Sequence, residues 1–200
     1  MLKKIGIMGG AFDPIHYGHL VTAEEAFYQF SLDKVIFMPT GTPPHKARKD
    51  MTAAEQRYLM TVSATADNDH FEVSRLEIDT KGTSYTIDTL RKLTKIYEGR
   101  AEFYFITGAD AIVEILTWKE ADKLGKIVKL IAATRPGYTL AEFDDLLGKL
   151  KNKPKIYLIE VPALAISSTD IRSRVKAGKP IRYLLSDSVL RYIYKKGFYK

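Results

Sequence analysis

Eleven residues near the amino terminus, Gly9-Gly10-Ala11-Phe12-Asp13-Pro14-Ile15-His16-Tyr17-Gly18-His19, constrain this chain more than any other feature. They follow an apolar run, Lys4–Met8, that reads as a strand, and they lead into His19–Phe30, which reads as a helix. Two glycines at the carboxyl end of a buried strand let the backbone turn tightly and approach a ligand. The next helix aims unpaired N–H groups and its positive dipole end at the same place. That combination makes an anion site. His16 and His19, three residues apart at the helix start, share a face and can present ring N–H donors to phosphate oxygens, while Gly18 between them keeps the helix terminus uncluttered. A zinc pair is the rival reading. It would need a third ligand from Asp13 or Glu24, and no metal ligand is assigned.

The remaining chain has the rhythm of an α/β domain. Short runs rich in β-branched and aromatic residues predict strands at 4–8, 34–38, 72–78, 102–107, 128–133 and 155–161. Val35-Ile36-Phe37-Met38 is apolar on both faces, as expected of strands buried between helix layers. Helices are predicted at 19–30, from Thr52 to about Ala66 behind a Thr52–Glu55 capping box, and at 86–97, 140–150, 169–177 and 186–195. The expectation is a Rossmann-like, doubly wound parallel sheet with C-terminal helices. Residues 1–200 would form a single domain, with ligands held along the carboxyl ends of the strands.

Charge and cysteine count narrow the function. The formal charge is +7 over 200 residues, which favours anionic ligands, and the segment from Lys149 to Lys200 holds thirteen Lys and Arg against three acidic residues. There is no cysteine, which excludes disulfide scaffolds and thiol catalysis. Gly9-Gly10 interrupts the first apolar stretch before a signal peptide could be completed, and no apolar run approaches the roughly 18 residues of a spanning helix. A cytoplasmic protein with no membrane partner is expected. Tyr192, Tyr194, Phe198 and Tyr199 in the basic tail raise an RNA-binding alternative. No stacking motif on a strand supports it, so no nucleic-acid partner is assigned.

Several other segments carry two readings each. Pro43-Pro44-His45-Lys46 is either a plain surface turn or a stiff loop presenting a cation. Ser84-Tyr85-Thr86 is either an ordinary cap or a helix start whose N–H groups receive a carboxylate. Asp110 after Gly108 suits helix capping or a ribose diol, and Trp118, the single tryptophan, suits a core or a stacking surface. Ile166-Ser167-Ser168-Thr169 with Arg172 is a capped helix bearing a surface arginine, or a second phosphate site.

The run from Gly10 to His19 resembles the G-x-F-D-x-x-H-x-G-H motif of nucleotidyltransferases, with Ala11 standing where a threonine is common. Pro43–Lys46, Ser84–Leu90, Gly108–Asp110 with Trp118-Lys119, Arg135-Pro136-Gly137 and Ile166–Arg172 look like the corresponding segments of bacterial nicotinate-nucleotide adenylyltransferases. The resemblance implies that ATP and nicotinate mononucleotide give deamido-NAD and pyrophosphate, with Mg²⁺ accompanying ATP. It implies His16 and His19 as catalytic residues. For ATP it implies Gly9, Gly10, Ala11, Phe12, His16, His19, Arg135, Ile166, Ser168 and Arg172. For the mononucleotide it implies His45, Lys46, Ser84, Tyr85, Thr86, Gly108, Asp110 and Trp118. Pantetheine-phosphate adenylyltransferases and cytidylyltransferases share the first motif and remain alternatives, and a homo-oligomeric assembly stays open.

Overall fold

A computed structural model describes residues 2–44, 50–134, 148, 150–162 and 165–200, apart from the side chains of Asp110 and Val113. Six strands, β1 (Lys3–Gly10), β2 (Lys34–Pro39), β3 (Phe71–Val73), β4 (Ala101–Gly108), β5 (Val128–Thr134) and β6 (Ile156–Glu160), form one sheet in the order β3-β2-β1-β4-β5-β6. Every neighbouring pair is parallel, with Ile7 facing Ile36 on one side and Phe105 on the other.

Side-chain alternation on these strands separates two apolar layers. Met8, Val35, Phe37, Tyr104 and Ile106 point to one face. There they meet α1 (Tyr17–Phe30), α2 (Ala54–Thr65), α5 (Ser168–Lys176) and α6 (Asp187–Lys196) through Ala23, Met60, Ile171 and Val189. Ile5, Ile7, Ile36, Met38, Phe103 and Phe105 point to the other. That face is covered by α3 (Thr86–Ile96) through Ile87, Leu90 and Leu93, and by the short α4 (Ala109–Ile112) with two following 3₁₀ turns. Burial on both faces explains why these strands read as nearly continuous apolar runs. The result is the doubly wound, Rossmann-like sheet expected. The strand order reverses between β1 and β4, where such sheets open a crevice at the strands' carboxyl ends.

Three local differences from the sequence reading bear on the site. The predicted strand 72–78 pairs only over Phe71–Val73. Ser74 N–H donates to Phe37 O at 2.9 Å, after which the chain turns, with Asp79 N–H on Arg75 O. The turn is favoured by Arg75, which reaches Asp79 four residues on and Glu55 on α2, and it carries Glu77 away from the sheet edge. At α2 the capping box does not form. Ala53 is the N-cap without a side-chain bond, because Glu55, whose carboxylate would have to reach back to the Thr52 N–H, is drawn to Arg75, while that N–H turns to Asp13 Oδ2 at 3.5 Å. α1 begins at Tyr17, so His16 becomes its N-cap and His19 sits in its first turn. The predicted helix 140–150 lies almost wholly outside the described residues. Among the described residues no helix is long and apolar enough to cross a membrane.

Candidate active site

Two cavities open at the β1–β4 crevice, and both are walled by Gly9 at the end of β1 and Thr107 near the end of β4. The smaller, about 340 Å³, is lined by His16, Gly18, His19, Gly108, Thr134 and Ile166 among others. The larger, about 720 Å³, is lined by Gly10, Ala11, Thr40, Pro43, Pro44, Glu77, Ser84, Tyr85, Thr86, Phe105, Trp118 and Lys119, with apolar strand and helix residues between them. A ligand in one can therefore meet a ligand in the other across a single strip of backbone.

The histidines are fixed by the fold of the loop between β1 and α1. The backbone N–H of His16 donates to His19 Nδ1 at 3.2 Å, which assigns the His19 ring proton to Nε2. The two imidazoles lie 3.8 Å apart at 30°, and the Phe12 ring meets His19 edge-on at 5.1 Å. Burial pulls the His16 pKa from 6.5 down to about 4, and burial together with the proximity of His16 holds His19 well below its ordinary value. Both rings are neutral at pH 7. To an anion such rings can offer N–H dipoles rather than full charges. Gly18 suits this packing, since a Cβ there would lie 3.0 Å from the His16 ring and press it aside. His16 Nδ1 is buried without a hydrogen-bond partner.

The loop itself is held from outside. Arg57 on α2 is 1% exposed, and its guanidinium donates to four carbonyls: Thr52 O, Ala11 O at 2.6 Å, Thr40 O at 2.6 Å and Gly41 O at 3.1 Å. It thereby ties the β1–α1 loop to the loop after β2, two walls of the larger cavity. From the C-terminal half, Arg172 Nη1 donates to Asp13 O at 2.7 Å, Ser168 Oγ donates to Pro14 O at 2.8 Å, and the Tyr199 hydroxyl donates to Asp13 Oδ1 at 2.7 Å.

In the larger cavity, α3 begins at Thr86 with Tyr85 as N-cap, and Ser84 is buried beside Glu77. Glu77 is 8% exposed and accepts from the Thr89 hydroxyl at 2.7 Å; burial pushes its carboxyl above the ordinary range. Gly41 packs against the Glu77 backbone so closely that a Cβ would fall 2.2 Å from Glu77 O. Trp118 stands edge-on to Phe105 at 5.6 Å, and Lys119 bridges Asp88 at 2.8 Å while lying 4.5 Å over the Tyr85 ring.

The structure thus brings Gly9, His16, His19, Gly108 and Ile166 to one cavity, and Gly9, Gly10, Ala11, Ser84, Tyr85, Thr86 and Trp118 to the other. Ala11 and Gly10 lie on the larger cavity, although the motif grouped them with ATP, and Gly108 lies on the smaller, although it was grouped with the mononucleotide. Phe12, Ser168 and Arg172 line neither; they shape the loop beneath the histidines. His45, Lys46 and Arg135 fall outside the described residues, as does the side chain of Asp110. Sequence reasoning missed Arg57, Glu77 and Tyr199. For Arg57 the signal was present, because it shares the buried stripe of α2 with Met60, Thr61 and Ala64.

Residues 7–174 match the cytidylyltransferase-like family. A protein of Thermoanaerobacter sp. (strain X514) is 56% identical over 199 residues, covering 98% of this chain and 94% of its own length; it is named "Probable nicotinate-nucleotide adenylyltransferase". One of the same name from Moorella thermoacetica is 57% identical, covering 98% and 92%. The chain is a member of the nicotinate-nucleotide adenylyltransferase family. A solved structure, the Plasmodium falciparum nicotinic acid mononucleotide adenylyltransferase complexed with NaAD, shares this chain's fold with a TM-score of 0.80 at 24% identity, covering 98% of this chain and 97% of that one. A second form of that protein, complexed with APC, gives 0.78 at 23% identity, with coverage of 98% and 97%.

Among the described residues no group of three or more His, Asp or Glu side chains could hold a metal ion, and the described lining of the smaller cavity has no carboxylate. This donor set suits a cation that arrives already bound to phosphates, the usual habit of Mg²⁺, rather than one caged by protein.

Proposed function

We propose that this enzyme transfers an adenylyl group from MgATP to nicotinate mononucleotide, giving deamido-NAD and pyrophosphate, a step of NAD biosynthesis, with residues 1–200 acting as one domain. The observation that carries the reading is the pair of cavities meeting at Gly9 and Thr107, with His16 and His19 on one and Thr86 and Trp118 on the other. ATP occupies the smaller cavity and the mononucleotide the larger. Names borne by relatives more than half identical over nearly the whole chain support the choice of substrates. His45, Lys46, Asp110 and Arg135 belong to this reading on sequence alone.

The chemistry needs alignment and charge relief. A mononucleotide phosphate is already anionic, so its oxygen attacks the α-phosphorus of ATP without a general base. One P–O bond forms, the bond to the bridging α–β oxygen breaks, and pyrophosphate leaves with the electron pair. Charge grows on the α-phosphate oxygens, where the neutral histidine N–H groups and the first-turn amides of α1 donate. Mg²⁺ bound to ATP supplies further neutralisation of the leaving pyrophosphate. In the acceptor cavity the first amides of α3 receive the ring carboxylate, and Trp118 covers the pyridine ring.

The test is pyrophosphate release with nicotinate mononucleotide, nicotinamide mononucleotide and phosphopantetheine side by side, for the wild type and His19→Ala. The acid should exceed the amide by at least about tenfold in kcat/KM, roughly 1.4 kcal/mol of differential binding. His19→Ala should lower kcat by about 10² to 10³ with little change in ATP binding. Preference for phosphopantetheine, or an unimpaired and folded His19→Ala, would refute the assignment.

A further inference from the structure

A polar contact joins the carboxyl-terminal end of the described chain to the loop that carries the histidines, across 186 residues of sequence. After α6 the chain caps at Gly197 in the left-handed region, with its N–H on Ile193 O and Tyr194 O, and turns back. Phe198 packs against Tyr192 with ring centroids 6.0 Å apart, and Tyr192 is itself held by Gln56 on α2 at 2.7 Å. Tyr199 then adopts φ +67°, a conformation a residue with a Cβ rarely takes unless its surroundings impose it. The Tyr199 hydroxyl donates to Asp13 Oδ1 at 2.7 Å and also meets the Thr52 side chain.

Asp13 is 2% exposed, and its neighbours in sequence carry the effect onward. On one side is Phe12, also at positive φ, 2% exposed, and touching the His19 ring edge-on. On the other is Pro14, whose carbonyl is taken by Ser168. The Asp13 carbonyl is taken by Arg172, and the carboxylate is also approached by Thr52 N–H at 3.5 Å. Burial raises the Tyr199 pKa well above its ordinary value, so the hydroxyl remains a donor throughout the working range.

We propose that Tyr199 is a positioning residue for adenylyl transfer: through its hydrogen bond to Asp13 it fixes the Phe12–Asp13 segment and thereby the placement of the His19 ring at the phosphate site. The proposal rests on the reading of His19 as a phosphate donor given above. Its physical ground is that donors aimed at a transition state lose effect with small displacements, whereas ground-state binding spread over a whole nucleotide does not.

Tyr199→Phe removes one oxygen and keeps the aromatic packing. Expected are a melting temperature within a few degrees of wild type, a kcat for pyrophosphate release lowered about tenfold, and KM values for ATP and acceptor within about twofold. The imidazole nitrogen resonances of His19, observed without substrate, should shift, and Tyr199→Phe added to Asp13→Asn should cost no more than Asp13→Asn alone. A Tyr199→Phe protein with wild-type kcat and unmoved His19 resonances overturns the proposal. So does one that melts lower while kcat and those resonances stay put, the behaviour of a merely structural contact. If Tyr199→Phe failed to fold, Asp13→Asn would carry the same two readouts with the same criteria. His19→Ala run in parallel separates the two levels. Full turnover in that variant refutes the role of His19 in catalysis, while the His19 resonances of Tyr199→Phe still decide whether the tail sets the ring.

Discussion

Acidification should destabilise this protein through His16 in a way that a single substitution removes. The His16 imidazole is 6% exposed, and burial alone brings its pKa from 6.5 to about 4. Above pH 6.5 the ring is neutral whether the chain is folded or not, and it imposes no cost. Between 6.5 and about 4 the unfolded chain takes up a proton that the folded chain refuses, so stability falls as pH falls through that window and levels off below it. At 1.36 kcal/mol per unit the full loss is about 3 kcal/mol, a large share of the stability of an ordinary domain. His19, also depressed, adds to the loss in the same direction. Urea unfolding of nucleotide-free protein between pH 7.5 and 4 measures it, with His16→Asn as the control. The variant should lose about 3 kcal/mol less than wild type over that range. Saturating MgATP should flatten the wild-type slope, because nearby phosphate charge favours the imidazolium. Identical pH slopes for wild type and His16→Asn would show that His16 titrates normally, and the picture of two neutral stacked rings would fall.

Two further outcomes follow from the walls of the acceptor cavity. Gly41→Ala places a Cβ 2.2 Å from Glu77 O, so one of the two segments must move; the acceptor KM should rise about tenfold while the ATP KM holds, and equal damage to both would show that the displacement spreads beyond this wall. Arg57→Lys replaces a fork that satisfies four buried carbonyls with a point charge that cannot reach them all, and should cost about 3 kcal/mol in denaturant unfolding; a loss under about 1 kcal/mol would mean that Arg57 contributes little to holding the two loops together.

The parts of this site that were legible in the sequence are those where one short segment does both the folding and the chemistry. The Gly9–His19 run announces a turn, a helix start and a pair of ring donors within eleven residues, and the buried sheet is visible in the two-faced apolar runs of β1, β2 and β4. Period-two alternation cannot be seen where both faces are buried, yet the runs still end at the right places because glycine or proline follows them. The failures share a cause. The strand predicted over 72–78 ends early because Arg75 finds Glu55 on α2 and Asp79 in the following turn, and the α2 capping box is lost because Arg75 takes the Glu55 carboxylate and Asp13 takes the Thr52 N–H. In both cases a long-range polar partner overrode a local propensity. Ser168 and Arg172, which look from their helix start like phosphate ligands, also take partners far off in sequence, donating to the carbonyls of Pro14 and Asp13.

The loop between β1 and α1 is built in the same way. Its glycines let the backbone adopt the shape, but Ala11 O, Asp13 O, Pro14 O and the Asp13 carboxylate are each held by a residue from another part of the chain, Arg57, Arg172, Ser168 and Tyr199 respectively. A loop of buried carbonyls cannot satisfy itself, and each carbonyl left unpaired would cost on the order of 1–3 kcal/mol. The basic excess of the C-terminal segment therefore acts partly inside the protein: Arg172 donates to the Asp13 carbonyl of the loop and to the Thr169 hydroxyl. Net charge read from the sequence favours an anionic ligand, yet it does not say which cations would face that ligand and which hold the backbone.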